Sequence, residues 1–220
     1  MAPARVASSA CKACGALGDD LTKSVVPRPV TAVLLDRDGV INEPVIDPRS
    51  GRYESPYAPE DVALVPGAAE VIAQLTNRGI PLAVVSNQPA AAKQTCSIDD
   101  LASVDARVRE LLAAHGVEIG VWKYCFHHPQ GTDPELGRRC ECRKPEPGLL
   151  IDALADLGVP ASKHVVIVGD SDADIGAGLA LGLTTILVEH PNSAHRRGEQ
   201  EPDFRVSSAA AWANVLMPDD

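Results

Sequence analysis

VLLDRDG, at residues 33–39, decides the fold, because an apolar run passes directly into two aspartates and a glycine. A short continuous apolar run is typical of a strand that is buried on both faces of a parallel sheet. IVGDSDAD, at residues 167–174, repeats the pattern at the end of a second apolar run. We therefore predict two buried strands that each deliver carboxylates to their carboxyl ends.

The rest of the chain alternates between strand-like and helix-like segments. Short apolar runs predict strands at 30–35, 80–85, 121–125, 165–168 and 184–188, and apolar residues at helical spacing predict helices at 66–79, 98–115, from about 148, 173–181 and 207–216. This alternation predicts an α/β fold with three layers and a doubly wound, mainly parallel sheet, which binds ligands at the carboxyl ends of its strands. We expect one domain over residues 30–220, preceded by a flexible tail at 1–29 that includes Cys11 and Cys14.

Composition and charge narrow the function classes. The 220 residues include 20 lysines and arginines and 30 aspartates and glutamates, for a formal net charge of −10. Such a charge disfavours nucleic acid and anionic membrane as partners, and no apolar run approaches the ~18 residues of a membrane span. The N-terminus lacks the apolar segment of a secretory signal, so we expect a cytoplasmic protein. Because the charge also repels phosphorylated molecules, any phosphate site must be a local cluster of cations and backbone amides.

Carboxylates at the strand ends carry the predicted chemistry. Asp36 and Asp38 leave the first strand two residues apart, which suits a nucleophile, an acid/base and part of a magnesium site. Asp170 follows another buried strand and can complete that metal site. Asp174 lies four residues further, where it can orient a ligand or a lysine. Capping of the following helix by Ser171 or Asp172 is a compatible alternative.

Polar residues that suit a phosphate group follow other elements. Hydroxyl and amide side chains end the strand predicted at 80–85, and a pair of cations precedes the helix predicted from about 148. Lys144 would neutralise a phosphate as a point charge. The candidate substrate-binding residues are Ser86, Asn87, Gln88, Arg143, Lys144 and Asn42.

The segment 125–142 has the spacing of a zinc site. Cys125 and His127 are followed, after 12 intervening residues, by Cys140 and Cys142. Two close pairs of such ligands are typical of a closed tetrahedral zinc site with a structural role. His128 is an alternative to His127, and the sequence leaves that choice open.

In order and strand context, these groups resemble the haloacid dehalogenase (HAD)-type phosphatases over about residues 30–190. The shared pieces are the Asp-x-Asp-Gly-Val stretch, a Ser-Asn, a lysine and a Gly-Asp-x-x-x-Asp. The resemblance implies that Asp36 is the nucleophile and Asp38 the general acid/base. It also implies that Mg²⁺ is bound by Asp36, the backbone carbonyl of Asp38 and Asp170, and that Asp174 orients these ligands without binding the metal itself. The phosphoryl group would be bound by Ser86, Asn87 and Lys144.

The cysteine loop is similar to that of one branch, which lacks a large cap domain. This branch holds the D-glycero-D-manno-heptose 1,7-bisphosphate phosphatases of nucleotide-heptose synthesis and the related histidinol-phosphate phosphatases. The implied substrate is therefore a small phosphorylated metabolite, with the heptose bisphosphate as the main expectation and histidinol phosphate as the alternative. A second phosphate would need cations such as Arg143, Arg52 and Lys93, whereas a cationic amino alcohol would need a carboxylate such as Glu43 or Glu54.

A phospho-accepting regulatory module is an alternative of another class. Such modules also use strand-end aspartates with magnesium, but they must keep their acyl phosphate. An acid/base beside the nucleophile works against that requirement. The sequence leaves the oligomeric state open.

Overall fold

The computed structural model describes residues 26–218, and a six-stranded parallel sheet forms their centre. The strands are β1 (Ala32–Leu35), β2 (Val45–Ile46), β3 (Tyr53–Glu54), β4 (Leu82–Asn87), β5 (Val121–Cys125), β6 (Val165–Gly169), β7 (Thr184–Val188) and β8 (Phe204–Val206). The sheet has the order β5-β4-β1-β6-β7-β8, and β2 and β3 form a separate antiparallel hairpin. The predicted doubly wound parallel α/β fold is confirmed.

Helices cover both faces of the sheet, because successive side chains of each strand point to opposite faces. Val33 and Leu35 pack in the cluster that includes α1, α2 and α5, whereas Ala32 and Leu34 pack in the cluster that includes α3 and α4. This burial on both faces explains why β1 is apolar at every position. The helices are α1 (Ala68–Asn77), α2 (Ile98–Ala114), α3 (Gly148–Leu157), α4 (Asp172–Ala180) and α5 (Ala209–Leu216).

The strand order reverses beside β1. The chain runs outward from β1 to β4 and β5, then returns to place β6 on the other side of β1. Open α/β sheets bind ligands at the carboxyl ends of the strands where the order reverses. Asp36 follows β1 directly and Asp170 follows β6 directly, so the fold brings both carboxylates to this point.

The insertion between β1 and β4 is small. It contains the hairpin, a 3-10 turn (Pro59–Asp61) and α1, and no cap-sized domain lies in this part of the described chain. The hairpin turns tightly, since Gly51 (φ +67°) donates its N–H to the carbonyl of Asp47 at 2.8 Å. The carboxyl edge of the sheet therefore stays open to a small ligand.

The structure differs from the predicted tail at residues 26–29. Val26 is buried in the core, and Arg28 donates a hydrogen bond to the carbonyl of Leu216 at the end of α5. Burial of an apolar side chain explains why the ordered domain begins before residue 30. Cys11 and Cys14 lie outside the described residues. Within 26–218, no helix combines the length and the apolar character that crossing a bilayer requires.

Candidate active site

Three buried aspartates meet where β1 and β6 end. One carboxylate oxygen each from Asp36, Asp170 and Asp174 lies within 4.8 Å of the others. The N–H of Asp36 donates to the carbonyl of Val168 at 2.9 Å, which ties the end of β1 to β6. Gly39 (φ +83°) is required here, because a Cβ at this position would collide with the Asp170 carboxylate.

The three carboxylates of this cluster carry more negative charge than the one ammonium that contacts Asp36 and Asp174 can compensate. Both oxygens of Asp170 are buried and have no hydrogen-bond partner among residues 26–218. Burial and repulsion by Asp174 raise the pKa of Asp36 to about 6, and burial and repulsion by Asp36 raise the pKa of Asp170 to about 8. A divalent cation bound to these oxygens would offset both the burial of the carboxylates and their mutual repulsion. Because Mg²⁺ prefers hard oxygen ligands, the donor set fits this ion.

Lys144 is the cation that already contacts this cluster. Its Nζ lies 2.5 Å from Asp174 Oδ1 and 3.0 Å from Asp36 Oδ1, and it donates to the carbonyl of Val85 at 2.6 Å. Burial lowers the pKa of Lys144, but Asp174 and Asp36 outweigh burial and raise it, so the ammonium stays charged. Asp174 thus holds Lys144 in place beside the oxygen of Asp36.

Asp38 lies in a separate network of donors. Its carboxylate forms a buried ion pair with Arg37 Nη2 at 3.1 Å and accepts hydrogen bonds from Asn42 Nδ2 at 2.9 Å, Ser55 Oγ at 2.7 Å and Gln88 Nε2 at 2.6 Å. Burial raises the pKa of Asp38, but the charge of Arg37 and the three hydrogen bonds outweigh burial and lower it. Asp38 is therefore ionised in the resting protein and fixed in orientation.

The end of β4 lies between Lys144 and the hydrogen-bond network of Asp38, and its side chains contact both. Ser86 Oγ accepts a hydrogen bond from Gln88 Nε2 at 3.1 Å. The Asn87 side chain holds the backbone of Lys144, since Nδ2 donates to its carbonyl at 3.0 Å and Oδ1 accepts from its N–H at 3.1 Å. Asn87 therefore positions the loop that carries Lys144.

A cavity of about 300 Å³ opens above the two networks. Its floor is buried, whereas Lys93 at the wall is exposed and Arg143 is partly exposed. Burial lowers the pKa of Arg143, and the charge of Arg196 contributes to that shift. The cavity is lined by Asp36, Asp38, Glu54, Ser55, Ser86, Asn87, Pro89, Lys93, Arg143, Lys144, Ser171, Ala173 and Arg196.

The predicted zinc ligands converge beside the cavity. The three cysteine sulfurs lie 3.3, 3.3 and 3.6 Å apart, and His127 Nδ1 lies 3.4 Å from the Cys142 sulfur and 3.7 Å from the Cys125 sulfur. The edges of a tetrahedron with Zn–S bonds of ~2.3 Å measure about 3.8 Å. The cluster of Cys125, His127, Cys140 and Cys142 therefore fits zinc, whereas His128 Nδ1 accepts a hydrogen bond from the N–H of Gln130.

Comparison with known proteins places the chain in a family. A family model described as HAD-hydrolase-like matches residues 141–211. D-glycero-β-D-manno-heptose-1,7-bisphosphate 7-phosphatase of Pseudomonas putida is 37% identical over 187 residues, which cover 84% of this chain and 98% of that protein. The chain belongs to the HAD-like phosphatases. The Pseudomonas aeruginosa protein of the same name is 34% identical over 187 residues, which cover 84% of this phosphatase and 97% of that protein.

Solved structures have the same fold as the phosphatase. A protein from Mesorhizobium loti that is described as HAD-like has a TM-score of 0.71 and 31% identity over 88% of this chain and 87% of that chain. D,D-heptose 1,7-bisphosphate phosphatase from B. bronchiseptica, solved with magnesium and phosphate, has a TM-score of 0.70 and 28% identity over 85% of this chain and 98% of that chain.

Two predicted substrate-binding residues of the phosphatase lie elsewhere than expected. Asn42 and Gln88 are buried and do not line the cavity, because their amides are bound to Asp38. Arg52 lines a neighbouring cavity with Tyr53. The remaining candidates, which are Ser86, Asn87, Arg143 and Lys144, all line the cavity above the carboxylates.

Other residues of the phosphatase site were not among the predicted ones. Arg37 lies between Asp36 and Asp38 in the stretch 33–39, so its position in the sequence could have indicated an ion pair with one of these carboxylates. Ser55 and Arg196 gave no such signal, since they come from a hairpin and a 3-10 turn with no apolar pattern. Only the tertiary structure brings them to the cavity.

Proposed function

We propose that this phosphatase removes the 7-phosphate of D-glycero-D-manno-heptose 1,7-bisphosphate in a Mg²⁺-dependent reaction that passes through a phospho-aspartate at Asp36. One observation carries the mechanism: the buried Asp36 carboxylate lines the cavity with its Oδ1 3.0 Å from the ammonium of Lys144. The names of the relatives support the substrate. The cytoplasmic location expected from the sequence remains a prediction.

In the first step, an oxygen of Asp36 attacks the phosphorus and the bond to the sugar oxygen breaks. Because its pKa is about 6, Asp36 is largely ionised at neutral pH and ready to act as a nucleophile. Lys144 and Ser86 bind the oxygens of the transferring phosphoryl group. The approach of a negatively charged phosphate raises the pKa of Asp38, which takes up a proton from the solvent and then gives this proton to the departing sugar oxygen.

In the second step, Asp38 accepts a proton from a water molecule as the water oxygen attacks the phosphorus of the acyl phosphate. The bond between phosphorus and the Asp36 oxygen breaks, inorganic phosphate leaves and the carboxylate is restored. Arg37 stabilises the ionised form of Asp38 between the two steps. A regulatory module would need a long-lived acyl phosphate. An acid/base held this firmly beside Asp36 favours rapid hydrolysis of the acyl phosphate instead.

Two metal ions belong to the proposal. Asp36, the backbone carbonyl of Asp38 and Asp170 would hold Mg²⁺, which when bound supplies positive charge to the phosphoryl oxygens. A zinc ion at Cys125, His127, Cys140 and Cys142 would be structural. Because Cys142 is two residues before Lys144, ordering this loop also fixes the phosphate-binding lysine.

The charge of the cavity favours a bisphosphate over histidinol phosphate. An amino alcohol would need an available carboxylate, but Glu43 is bound to His190 at 2.9 Å and Glu54 lies 3.6 Å from Arg196. Lys93, Arg143 and Arg196 outnumber the single glutamate that lines the cavity wall. Positive charge beyond the floor suits a second anionic group.

Phosphate release from the purified protein with Mg²⁺ tests the substrate. The two anomers of the heptose 1,7-bisphosphate are compared with histidinol phosphate at equal enzyme concentration. We expect kcat/KM for the bisphosphate to be at least a hundredfold higher, about 2.7 kcal/mol of differential transition-state binding. A preference for histidinol phosphate would contradict the proposed substrate, and no release from any phosphomonoester would contradict the mechanism.

A further inference from the structure

One basic residue of the cavity has no part in the mechanism above. Arg196 ends the 3-10 turn Pro191–Arg196, which follows β7, and this residue lines the same cavity as Asp36. Its side chain is 28% exposed, whereas that of Lys144 is 2% exposed. Arg196 therefore lies toward the mouth of the cavity, and the transferring phosphoryl group belongs at the floor.

The segment that carries Arg196 is fixed to the active site. Ser193 Oγ donates to the carbonyl of Asp170 at 3.3 Å, so the turn is tied to the strand end that bears a catalytic carboxylate. His190 Nε2 lies 2.9 Å from Glu43 Oε2, which joins the turn to the loop after β1. Arg197 donates to the carbonyl of His190 at 3.0 Å. These contacts present Arg196 from a rigid wall.

The contacts of Arg196 leave donors free for a ligand. Its Nη2 donates to the carbonyl of Tyr53 at 2.9 Å and lies 3.6 Å from Glu54 Oε2. A guanidinium has five N–H donors in a planar fork that matches the oxygens of a phosphate. The bond to Tyr53 also joins the turn to the hairpin, so the two segments together form one side of the cavity mouth.

The neighbouring cations point to the same kind of ligand. Arg143 donates to the carbonyl of His127, and among residues 26–218 neither Arg143 nor Lys93 forms a salt bridge. Three cations and one glutamate leave the wall of this cavity with a net positive charge, which an anionic ligand would compensate. A neutral sugar body would not compensate this charge, and an ammonium group would add to it.

We propose that Arg196 is a specificity-determining residue that binds the phosphate which is not transferred, so that the enzyme selects sugars that carry two phosphates. The transferred phosphate reaches Asp36 at the floor, the sugar spans the cavity, and the second phosphate lies between Arg196 and Arg143 at the mouth. This inference rests on the proposed function for the identity of the sugar but not for the presence of the second anion site.

The test compares Arg196→Gln with the wild type on two substrates, heptose 1,7-bisphosphate and p-nitrophenyl phosphate. Arg196→Gln loses the charged hydrogen bonds between the guanidinium and the second phosphate. This loss is expected to lower kcat/KM for the bisphosphate tenfold to a hundredfold, mainly through a higher KM. The ratio of the two kcat/KM values should fall at least tenfold. Arg196→Lys, which keeps the charge without the fork, should recover part of the ratio. Arg205→Gln removes an arginine outside the cavity and is the matched control.

Equal losses on both substrates would show that Arg196 is only structural and would overturn the inference, as would an unaltered ratio. A second measurement does not depend on the heptose: glucose 1,6-bisphosphate and glucose 6-phosphate compete with p-nitrophenyl phosphate hydrolysis. The wild type should prefer the bisphosphate competitor at least tenfold and Arg196→Gln should not. If heptose bisphosphate is not hydrolysed but this preference is present, the proposed substrate fails and the inference stands. If the wild type has no preference, the second anion site is refuted.

Discussion

Asp170→Asn should make the metal-free protein more stable and not less. Asp170 is completely buried, both of its oxygens lack a donor among the described residues, and its pKa is raised from 3.8 to about 8. Asparagine has the same shape, keeps the space beside Gly39 and carries no charge. Lys144 keeps its partners, since Asp36 and Asp174 are the carboxylates that it contacts.

The sign and size of the effect follow from the raised pKa. Between pH 4 and pH 8 the native state holds a proton on Asp170 that the unfolded state has lost, so the free energy of unfolding falls as the pH rises. At pH 7 the difference from the unfolded value of 3.8 amounts to about 3 pH units, or on the order of 4 kcal/mol. The variant lacks this penalty, so its advantage should be absent near pH 4 and grow toward pH 8.

Urea denaturation measures the effect, with the fluorescence of Trp122 and Trp212 as the signal. The buffer is free of magnesium but contains no chelator, so that a zinc ion at the cysteine cluster is retained. Saturating Mg²⁺ at a hundred times its Kd should add about 2.7 kcal/mol to the wild type and far less to Asp170→Asn. Asp152→Asn, at an exposed position of α3, is the control and should behave as the wild type.

Equal or lower stability of Asp170→Asn at pH 8 without magnesium would refute the reasoning. It would mean that Asp170 is compensated by contacts other than a metal ion. A stabilisation that does not vary with pH would also contradict it, because only the titration of Asp170 makes the difference grow between pH 4 and pH 8.

Three further predictions concern the nucleophile, the zinc cluster and the acid/base. Asp36→Asn should lower kcat by at least ~10⁴-fold, since no carboxylate oxygen remains to attack the phosphorus, while circular dichroism and elemental analysis should show that the fold and the zinc content are retained. Cys140→Ser should lower the zinc content of the purified protein and expose the loop before it to limited proteolysis. Ser55→Ala removes a 2.7 Å hydrogen bond to the ionised Asp38 and should raise its pKa, which would be seen as a shift of the pH–rate profile to higher pH.

Each of these predictions has a control and an outcome that contradicts it. Substantial turnover by Asp36→Asn would reject Asp36 as the nucleophile. Cys96→Ser alters a cysteine outside the cluster and should keep the zinc, whereas an unchanged zinc content in Cys140→Ser would reject the tetrahedral site. Ser103→Ala, on the exposed side of α2, is the control for Ser55→Ala, and a pH–rate profile that does not move would show that Ser55 does not tune Asp38.

The parts of the fold that could be predicted are those whose stability comes from apolar periodicity. β1 and β6 are buried on both faces, so they appear in the sequence as uninterrupted apolar runs. β8 has three residues and an exposed Arg205 at its centre, and β2 and β3 have two residues each. Segments this short contain too few positions for a pattern and depend on pairing with strands far away in the chain.

The same distinction separates the predicted site residues from the missed ones. Asp36 and Asp170 follow predicted strands, and the rule that parallel strands end at one edge is enough to bring them together. The orientation of an amide could not be inferred in this way: Asn42 and Gln88 were expected at the substrate, but both complete the shell around Asp38. Which side chain satisfies which buried charge depends on packing distances that the sequence does not contain.

The net charge of −10 and a substrate with two phosphates are compatible because the fold separates the two signs. Asp36 and Asp170 lie at the buried floor, where Lys144 and a divalent cation can compensate them. Arg143 and Arg196 lie on the wall of the cavity, which a ligand meets first. Charges further away than a Debye length of ~8 Å are largely screened at physiological ionic strength, so the local cations govern capture once the substrate is near. Added salt should therefore weaken the selection of a bisphosphate over a monophosphate, while the chemistry at the desolvated floor is affected much less.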